Sequence, residues 1–181
     1  MILTQPIAFV DIETTGLDAD THEIIELGVV IAKMKDGVFT VTDKLDVKIH
    51  PKHIENADPT ALRVNGYNEA DWLFATSIED ALKSFVEKTD GAIFTAHNMA
   101  FDFGFVDANL KRLGIPHTMH YHKLDTISVA FGVLQNSNDD MGKYSLRVLC
   151  EKYNIVNPHA HSAFADAYAT YEVFKKLLNL K

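Results

Sequence analysis

The chain lacks the features that mark secreted and membrane proteins. Its 181 residues include one cysteine, Cys150, so no disulfide can form within the chain. No apolar run is long enough to cross a bilayer, and the opening segment MILTQPIAFVDIE has no basic flank and is interrupted by Asp11 and Glu13. We therefore expect no signal peptide, no membrane-spanning segment and a cytoplasmic location.

Positive charge is also scarce. Seventeen Lys and Arg residues stand against 25 Asp and Glu residues, which gives a net charge of −8 with His neutral. This balance argues against a broad basic face that binds a long stretch of nucleic acid, and it leaves contacts with a few nucleotides open. Hydrophobic residues make up 47% and charged residues 23%, as in a globular protein, and the length fits one domain over residues 1–181.

The order of apolar runs and turn signals predicts a mixed α/β fold. An antiparallel meander of three strands comes first, at Ile7–Ile12, Ile24–Met34 and Val38–Ile49. Helices are then predicted at Thr60–Asn65, Ile78–Lys88, Phe101–Leu113, Thr126–Leu134, Ser145–Tyr153 and Ser162–Leu178. Two further strands are predicted, at Ala92–Ala96 and ending at Lys123–Asp125, and a polar, mobile loop at Gln135–Gly142. This order gives a mixed five-stranded sheet with helices on its faces, the ribonuclease H-like architecture.

Acidic residues occur in three short contexts: FVDIETTGL with Asp11 and Glu13, HNMAFD with Asp102, and HAHSAFAD with Asp166. Asp11 and Glu13 are two apart on a strand, so their side chains share a face. Asp102 and Asp166 are each expected near the start of a helix. If the fold brings these carboxylates to one sheet edge, a cation is needed to hold them there.

Each context alone has a structural explanation. Asp11 and Glu13 fit a strand end that reaches solvent, Asp102 fits an acid favoured by a helix dipole, and Asp166 fits an ordinary helix-start acid. Their occurrence together in this order favours convergence. Four carboxylates can bind two Mg²⁺ ions, which clamp the attacking and leaving oxygens of an in-line displacement. The pattern therefore indicates hydrolysis of phosphodiesters.

The three contexts resemble the motifs of the DEDD 3′→5′ exonucleases, in the subgroup with a catalytic histidine. His161 lies five positions before Asp166, as in the H-x-A-x-x-D pattern of that subgroup, whereas the tyrosine subgroup would have Tyr at the position of Ser162. His159, seven positions before Asp166, matches the pattern less well. The resemblance covers nearly the whole chain, with Met99 as a mild departure at a position where the family more often has a small residue.

The resemblance implies a role for each motif. Asp11, Glu13, Asp102 and Asp166 would bind two Mg²⁺ ions, for which Mn²⁺ would substitute, and His161 would take the proton of the attacking water. The nucleotides at the 3′ end would contact Thr14, Thr15, Gly16, Leu17, His97, Asn98 and Phe101. The products would be nucleoside 5′-monophosphates.

The expected substrate is a single-stranded 3′ end, with DNA favoured over RNA. One alternative is an RNA-trimming enzyme like ribonuclease T or oligoribonuclease, in which basic residues such as Lys111 and Arg147 would bind RNA; a plain surface role is favoured for them. A second alternative is a non-catalytic nucleic-acid-binding domain. A homodimer, a polymerase partner, and the choice among proofreading, repair and RNA processing stay open. For Trp72 and Phe74 we predict core packing, and for Cys150 a buried, unreactive thiol.

Overall fold

The computed structural model of the protein describes residues 4–135 and 142–181. Five strands in these ranges form one sheet: β1 (Ile7–Thr14), β2 (Ile24–Lys35), β3 (Val38–Lys48), β4 (Ile93–Ala96) and β5 (Lys123–Asp125). The α-helices are α1 (Pro59–Asn65), α2 (Ile78–Lys88), α3 (Met99–Leu113), α4 (Thr126–Leu134), α5 (Leu146–Tyr153) and α6 (Ala163–Leu177). The mobile loop predicted at Gln135–Gly142 lies largely outside the described residues. In the ranges described, none of the helices has both the length and the apolar character needed to cross a membrane.

The sheet is mixed, and β1 lies at its centre. The strand order is β3-β2-β1-β4-β5. The pairs β1–β2 and β2–β3 are antiparallel, and the pairs β1–β4 and β4–β5 are parallel. This arrangement confirms the predicted fold class. Because β1, β4 and β5 run in the same direction, the segments that follow them meet at one end of the sheet.

Both faces of β1 are buried, as expected for a central strand that reads as a continuous apolar run. Ala8, Val10 and Ile12 face a core built with α2 and α3. Ile7 and Phe9 face the opposite side, where α6 packs. Since side chains alternate along a strand, Asp11 and Glu13 point to the α6 side as well.

The helix boundaries follow local capping groups. The Asp58 carboxylate accepts the Thr60 N–H at the start of α1, and the Ser77 hydroxyl accepts the Asp80 N–H in α2. The predicted start of α3 at Phe101 is two residues late. The helix starts at Met99 because Asn98, with φ of 74°, turns the chain, and the Asp125 carboxylate accepts the Met99 N–H at 3.2 Å.

The prediction of core packing holds for Trp72 and is wrong for Phe74. Trp72 is 3% exposed and its indole N–H donates to the Ile25 carbonyl at 2.9 Å, whereas Phe74 is 95% exposed. The turn closed by the hydrogen bond from Ala75 N–H to the Trp72 carbonyl directs Phe74 away from the sheet.

Candidate active site

Asp11 and Glu13 stand near the carboxyl end of β1, and both are half-buried. Asp11 pairs with Gly28 across the β1–β2 ladder, and Glu13 pairs with Glu26. Directly opposed residues on neighbouring antiparallel strands point to the same face. The face of the sheet toward α6 therefore carries three acids within two cross-strand pairs that follow one another on that face.

Asp102 reaches the same strand end from the first turn of α3. Its side chain is buried, and its Oδ1 accepts the backbone N–H of Ile12, the residue between Asp11 and Glu13, at 3.1 Å. This hydrogen bond joins α3 to β1 across 90 positions of sequence. The helix start and the strand end are thus fixed relative to each other by the carboxylate itself.

Asp166 lies in the first turn of α6, and two groups from the preceding loop hold its carboxylate. Its Oδ2 accepts the His161 N–H at 3.0 Å, and its Oδ1 accepts the Asn157 amide at 2.5 Å. His161 adopts a left-handed backbone with φ of 69°, and it is exposed. One ligand atom from each of Glu13, His161 and Asp166 lies within 4.8 Å of the others. The structure therefore brings the loop histidine to the acids of β1 and α6.

The acids act on one another electrostatically. Burial raises the pKa of Glu13 to about 8, with further contributions from Asp166, Glu26 and Asp102. Burial is also the main reason that the pKa of Asp102 rises to about 8. The pKa of Asp11 is raised well above its usual value by burial and then by Asp102, Asp166 and Glu13. The four predicted acids thus form one cluster in which full ionisation is unfavourable without a cation.

The donor set suits a hard divalent cation. Carboxylate oxygens are the ligands that Mg²⁺ and Mn²⁺ prefer, and a bound cation would reverse the pKa shifts that burial produces. A candidate acidic metal site is therefore present at this end of the sheet.

Two residues at the site, Glu26 and Gly28, are absent from the sequence-based set. The Glu26 side chain is buried, and its Oε2 accepts the Ala163 N–H at the start of α6. A Cβ at Gly28 would lie 2.3 Å from the backbone of Ala163 and Phe164, so only glycine lets α6 approach β2 here. The single acid within the apolar run IIELGVV is the sequence signal that could have identified Glu26.

A groove opens beside Glu13 at the end of β1. It has a volume of about 270 Å³, and α1 forms its opposite side. Thr14, Leu17 and Phe101, all predicted to contact substrate, line it. Thr15 is buried, its hydroxyl accepting the Glu23 N–H at 2.8 Å. Gly16 leaves no room for a side chain, because a Cβ would lie 2.2 Å from the His22 ring.

His97 and Asn98 lie outside the lining of this groove, in the turn between β4 and α3. The His97 Nδ1 is 2.9 Å from the Thr126 hydroxyl, and burial lowers the pKa of the ring. The Asn98 side chain is exposed. His97 thus packs against the start of α4, while Asn98 faces solvent.

A second cavity, of about 470 Å³, borders Asp166. Cys150 lines it together with His161, Asn157 and Asp166. Cys150 is 6% exposed, which confirms its predicted burial, and burial raises the pKa of its thiol to about 11. The thiol is therefore protonated at neutral pH and a weak nucleophile.

The basic residues considered for RNA binding are engaged on their own helices. Lys111 pairs with Asp107 at 2.6 Å, and Arg147 pairs with Glu151 at 2.8 Å, each one helical turn away. These exposed pairs fit the surface role favoured for them.

Comparison with known protein families identifies the group to which this site belongs. The sequence model of the RNase_T family, described as exonuclease, matches residues 8–174. The chain belongs to this exonuclease family. The match confirms the predicted exonuclease family and, with it, the predicted enzyme class, an exonuclease.

The curated relatives are much longer than this chain. It is 35% identical over 168 residues to the DNA polymerase III PolC-type of Caldanaerobacter subterraneus subsp. tengcongensis. It is 34% identical over 169 residues to the corresponding protein of Staphylococcus haemolyticus. Each alignment covers 93% of this chain and 11% of the relative, so the chain spans about a tenth of the length of these proteins.

Solved structures share the fold at low sequence identity. The nuclease domain of 3′hExo, described as a DEDDh family member bound to rAMP, superposes with a TM-score of 0.79 at 14% identity, covering 100% of this chain and 98% of that one. Escherichia coli Exonuclease I in complex with a dT13 oligonucleotide gives a TM-score of 0.75 at 17% identity, covering 97% and 41%. These likenesses confirm the ribonuclease H-like architecture.

Proposed function

We propose that this chain hydrolyses single-stranded nucleic acid from the 3′ end, with DNA favoured over RNA, and releases nucleoside 5′-monophosphates. The observation that carries the proposal is the cluster of Asp11, Glu13, Asp102 and Asp166 beside a groove, with His161 at its exposed edge. The PolC-type relatives, which are DNA polymerases by name, favour DNA. Because these relatives are DNA polymerases by name, we also propose that the domain acts together with a polymerase. A homodimer and a cytoplasmic location stay predictions from the sequence. We treat residues 1–181 as one exonuclease domain.

The four carboxylates would hold two Mg²⁺ ions, and Mn²⁺ would substitute for them. Bound metal would supply an activated water and neutralise charge at the leaving 3′ oxygen. The chain contributes a site whose carboxylates are already oriented by protein hydrogen bonds, since Asp102 is fixed by Ile12 and Asp166 by Asn157 and His161. Oriented ligands reduce the reorganisation that binding would otherwise require.

His161 would accept the proton of the attacking water. Its ring is exposed and belongs to the same group of ligand-bearing side chains as Glu13 and Asp166. Its backbone is fixed by the hydrogen bond to Asp166. An imidazole is suited to this role because it exchanges protons near neutral pH.

The groove beside β1 would receive the 3′-terminal nucleotide. Leu17 is 82% exposed and Phe101 lines the groove, so both offer apolar surface to a base. The Thr14–Leu17 backbone would approach the 3′ hydroxyl, with Gly16 leaving room for the His22 ring. We propose His97 and Asn98 as further substrate contacts, as predicted from the sequence; His97 also contacts the Thr126 hydroxyl at the start of α4.

The test uses matched single-stranded DNA and RNA oligonucleotides labelled at the 5′ end, with Mg²⁺ or Mn²⁺. We expect a ladder that shortens from the 3′ end and nucleoside 5′-monophosphates as products, with DNA degraded faster. The Asp11→Asn variant is the control for contaminating nuclease. Failure to release nucleotides from either polymer would contradict the proposal.

RNA trimming is the second candidate function. It is favoured by the likeness to the nuclease domain of 3′hExo, which is bound to rAMP. Faster release from RNA than from DNA in the same assay would support it over the first candidate.

A further inference from the structure

We propose that Glu26 is a positioning residue: it holds the amino end of α6 against the sheet and thereby sets Asp166 and His161 beside Glu13. The inference rests on the proposed function, because it concerns the geometry of the same site. Glu26 belongs to β2, and it is not among the proposed metal ligands, proton acceptor or substrate contacts.

The contact that carries the inference is a hydrogen bond between distant parts of the chain. Glu26 Oε2 accepts the N–H of Ala163, the first residue of α6, at 3.1 Å and across 137 positions of sequence. The N-cap residue of this helix, Ser162, makes no side-chain capping hydrogen bond. The first N–H groups of a helix need acceptors, and a negative charge is favourable there. Glu26 therefore supplies from the sheet the cap that the local sequence does not.

The position of Ala163 determines where Asp166 and His161 lie. Gly28 lets the Ala163 backbone approach β2, and Asp166 follows three residues later in the same helical turn. Asp166 in turn accepts the His161 N–H. A shift of Ala163 along or away from the sheet would thus move both Asp166 and His161 relative to Glu13.

The other oxygen of Glu26 is also occupied. Its Oε1 lies 2.8 Å from the Lys48 ammonium, which in turn lies 3.3 Å from the ring centroid of Trp72. Lys48 faces Glu26 directly across the β2–β3 ladder. The pair fixes the side chain and offsets the repulsion that a fifth acid would add. Because a lysine already neutralises its charge, we assign Glu26 as a support for the metal-binding acids and not as one of them.

The experiment separates the reach of the side chain from its charge. Glu26→Asp keeps the charge but is one methylene shorter, so it cannot span the distance to Ala163. Glu26→Gln keeps the reach and an acceptor oxygen but loses the charge. The readouts are Mn²⁺ affinity by calorimetry without substrate, kcat and KM on a DNA oligonucleotide, and the thermal midpoint.

We expect Glu26→Asp to weaken Mn²⁺ binding and to lower kcat, each by about 10-fold or more, with KM within about 3-fold of wild type. Glu26→Gln should stay within about 3-fold of wild type in both. The control is Asp43→Ala. It breaks a similar ion pair, between Asp43 of the edge strand β3 and Lys88 at the end of α2. It should change only the thermal midpoint.

Wild-type Mn²⁺ affinity and kcat in Glu26→Asp would overturn the inference, and so would a larger loss in Glu26→Gln than in Glu26→Asp. A wild-type protein that binds Mn²⁺ but releases no nucleotide would refute the proposed function, while the calorimetric comparison would still test Glu26. Absence of Mn²⁺ binding by the wild type would overturn both proposals.

Discussion

The two ends of α6 pack on the same sheet with opposite chemistry. At its carboxyl end, Phe174 and Tyr171 meet Phe9 of β1 edge to face, with ring centroids 5.2 and 5.5 Å apart. At its amino end, Asp166 approaches Glu13 of the same strand. Aromatic contacts of the first kind stabilise a fold, whereas acids of like charge in a buried place destabilise it.

The difference indicates how this protein tolerates the electrostatic repulsion among the acids of the site. The aromatic end fixes the direction of α6, and small residues at the other end let the helix approach closely; Ala163 and Ala167 are both buried. The packing of α6 against β1 thus offsets the energetic cost of bringing the acids together. Changes at the amino end should therefore lower activity and raise stability, whereas changes at the carboxyl end should lower stability alone.

The largest effect is expected from removing an acid at the amino-end site. Asp11→Asn should lower kcat by about 10³-fold, the upper end of what loss of one preorganised electrostatic group costs. It should also raise the thermal midpoint of the metal-free protein at neutral pH, because Asn removes a carboxyl whose ionisation is disfavoured in the folded state but not in the unfolded chain. Oligonucleotide hydrolysis and thermal unfolding with a chelator measure the two changes. A lower metal-free midpoint would show that the acids are not in electrostatic conflict.

His161→Gln tests the exposed edge of the same site. We expect kcat to fall by about 10²–10⁴-fold while Mn²⁺ affinity changes little, because the proposed role is proton transfer. His159→Gln is the matched control, two positions away in the same loop, and should be near wild type. If the His161 variant is fully active at neutral pH and the His159 variant is not, the general base is His159.

At the carboxyl end of α6, Phe174→Ala should act on stability alone. Phe174 is 1% exposed, and deleting a buried aromatic ring costs about 3–5 kcal/mol of unfolding free energy. Activity per folded molecule should stay within about 2-fold of wild type. Phe74→Ala, at a 95% exposed site, is the control and should change stability by less than about 0.5 kcal/mol. A selective loss of kcat in Phe174→Ala would show that the carboxyl end of α6 also affects activity, and would contradict the separate roles of the two ends.

Much of the fold and of the candidate site follows from sequence patterns. Apolar runs and turn residues predict the strands and the antiparallel meander, because apolar runs and hairpin signals are local properties. The approach of Asp102 to Asp11 and Glu13 is expected from topology, since the segments after parallel strands meet at one end of a sheet. For Asp166, on α6, the expectation rests on the motif resemblance.

Other features depend on contacts that no local pattern encodes. The contact of Glu26 with Ala163 needs the β1–β2 register and the path of α6, 137 positions away. The early start of α3 at Met99 depends on a cap from Asp125, beyond the helix. The exposure of Phe74 beside the buried Trp72 depends on one turn.

The last expected effect is a dependence of stability on pH, which arises at the amino-end site and not at the aromatic end of α6. The pKa values of Glu13 and Asp102 are about 8 in the folded protein, whereas unfolded carboxyl groups titrate near pH 4. Between these values the folded metal-free protein holds protons that the unfolded chain has released. Raising the pH therefore favours unfolding, by at most about 1.4 kcal/mol per pH unit for each group, and the trend ends above pH 8.

Mg²⁺ should reduce this slope, because it binds the deprotonated acids of the folded state and its stabilisation grows as pH rises. Thermal midpoints at pH 5.5, 7 and 8.5, with a chelator or with Mg²⁺, measure both trends. Glu13→Gln should flatten the metal-free slope, whereas Phe174→Ala should lower the midpoint equally at all three values. A metal-free midpoint that rises across this window would mean that the acids are ionised in the folded protein, and the contrast between the two ends of α6 would lose its electrostatic basis.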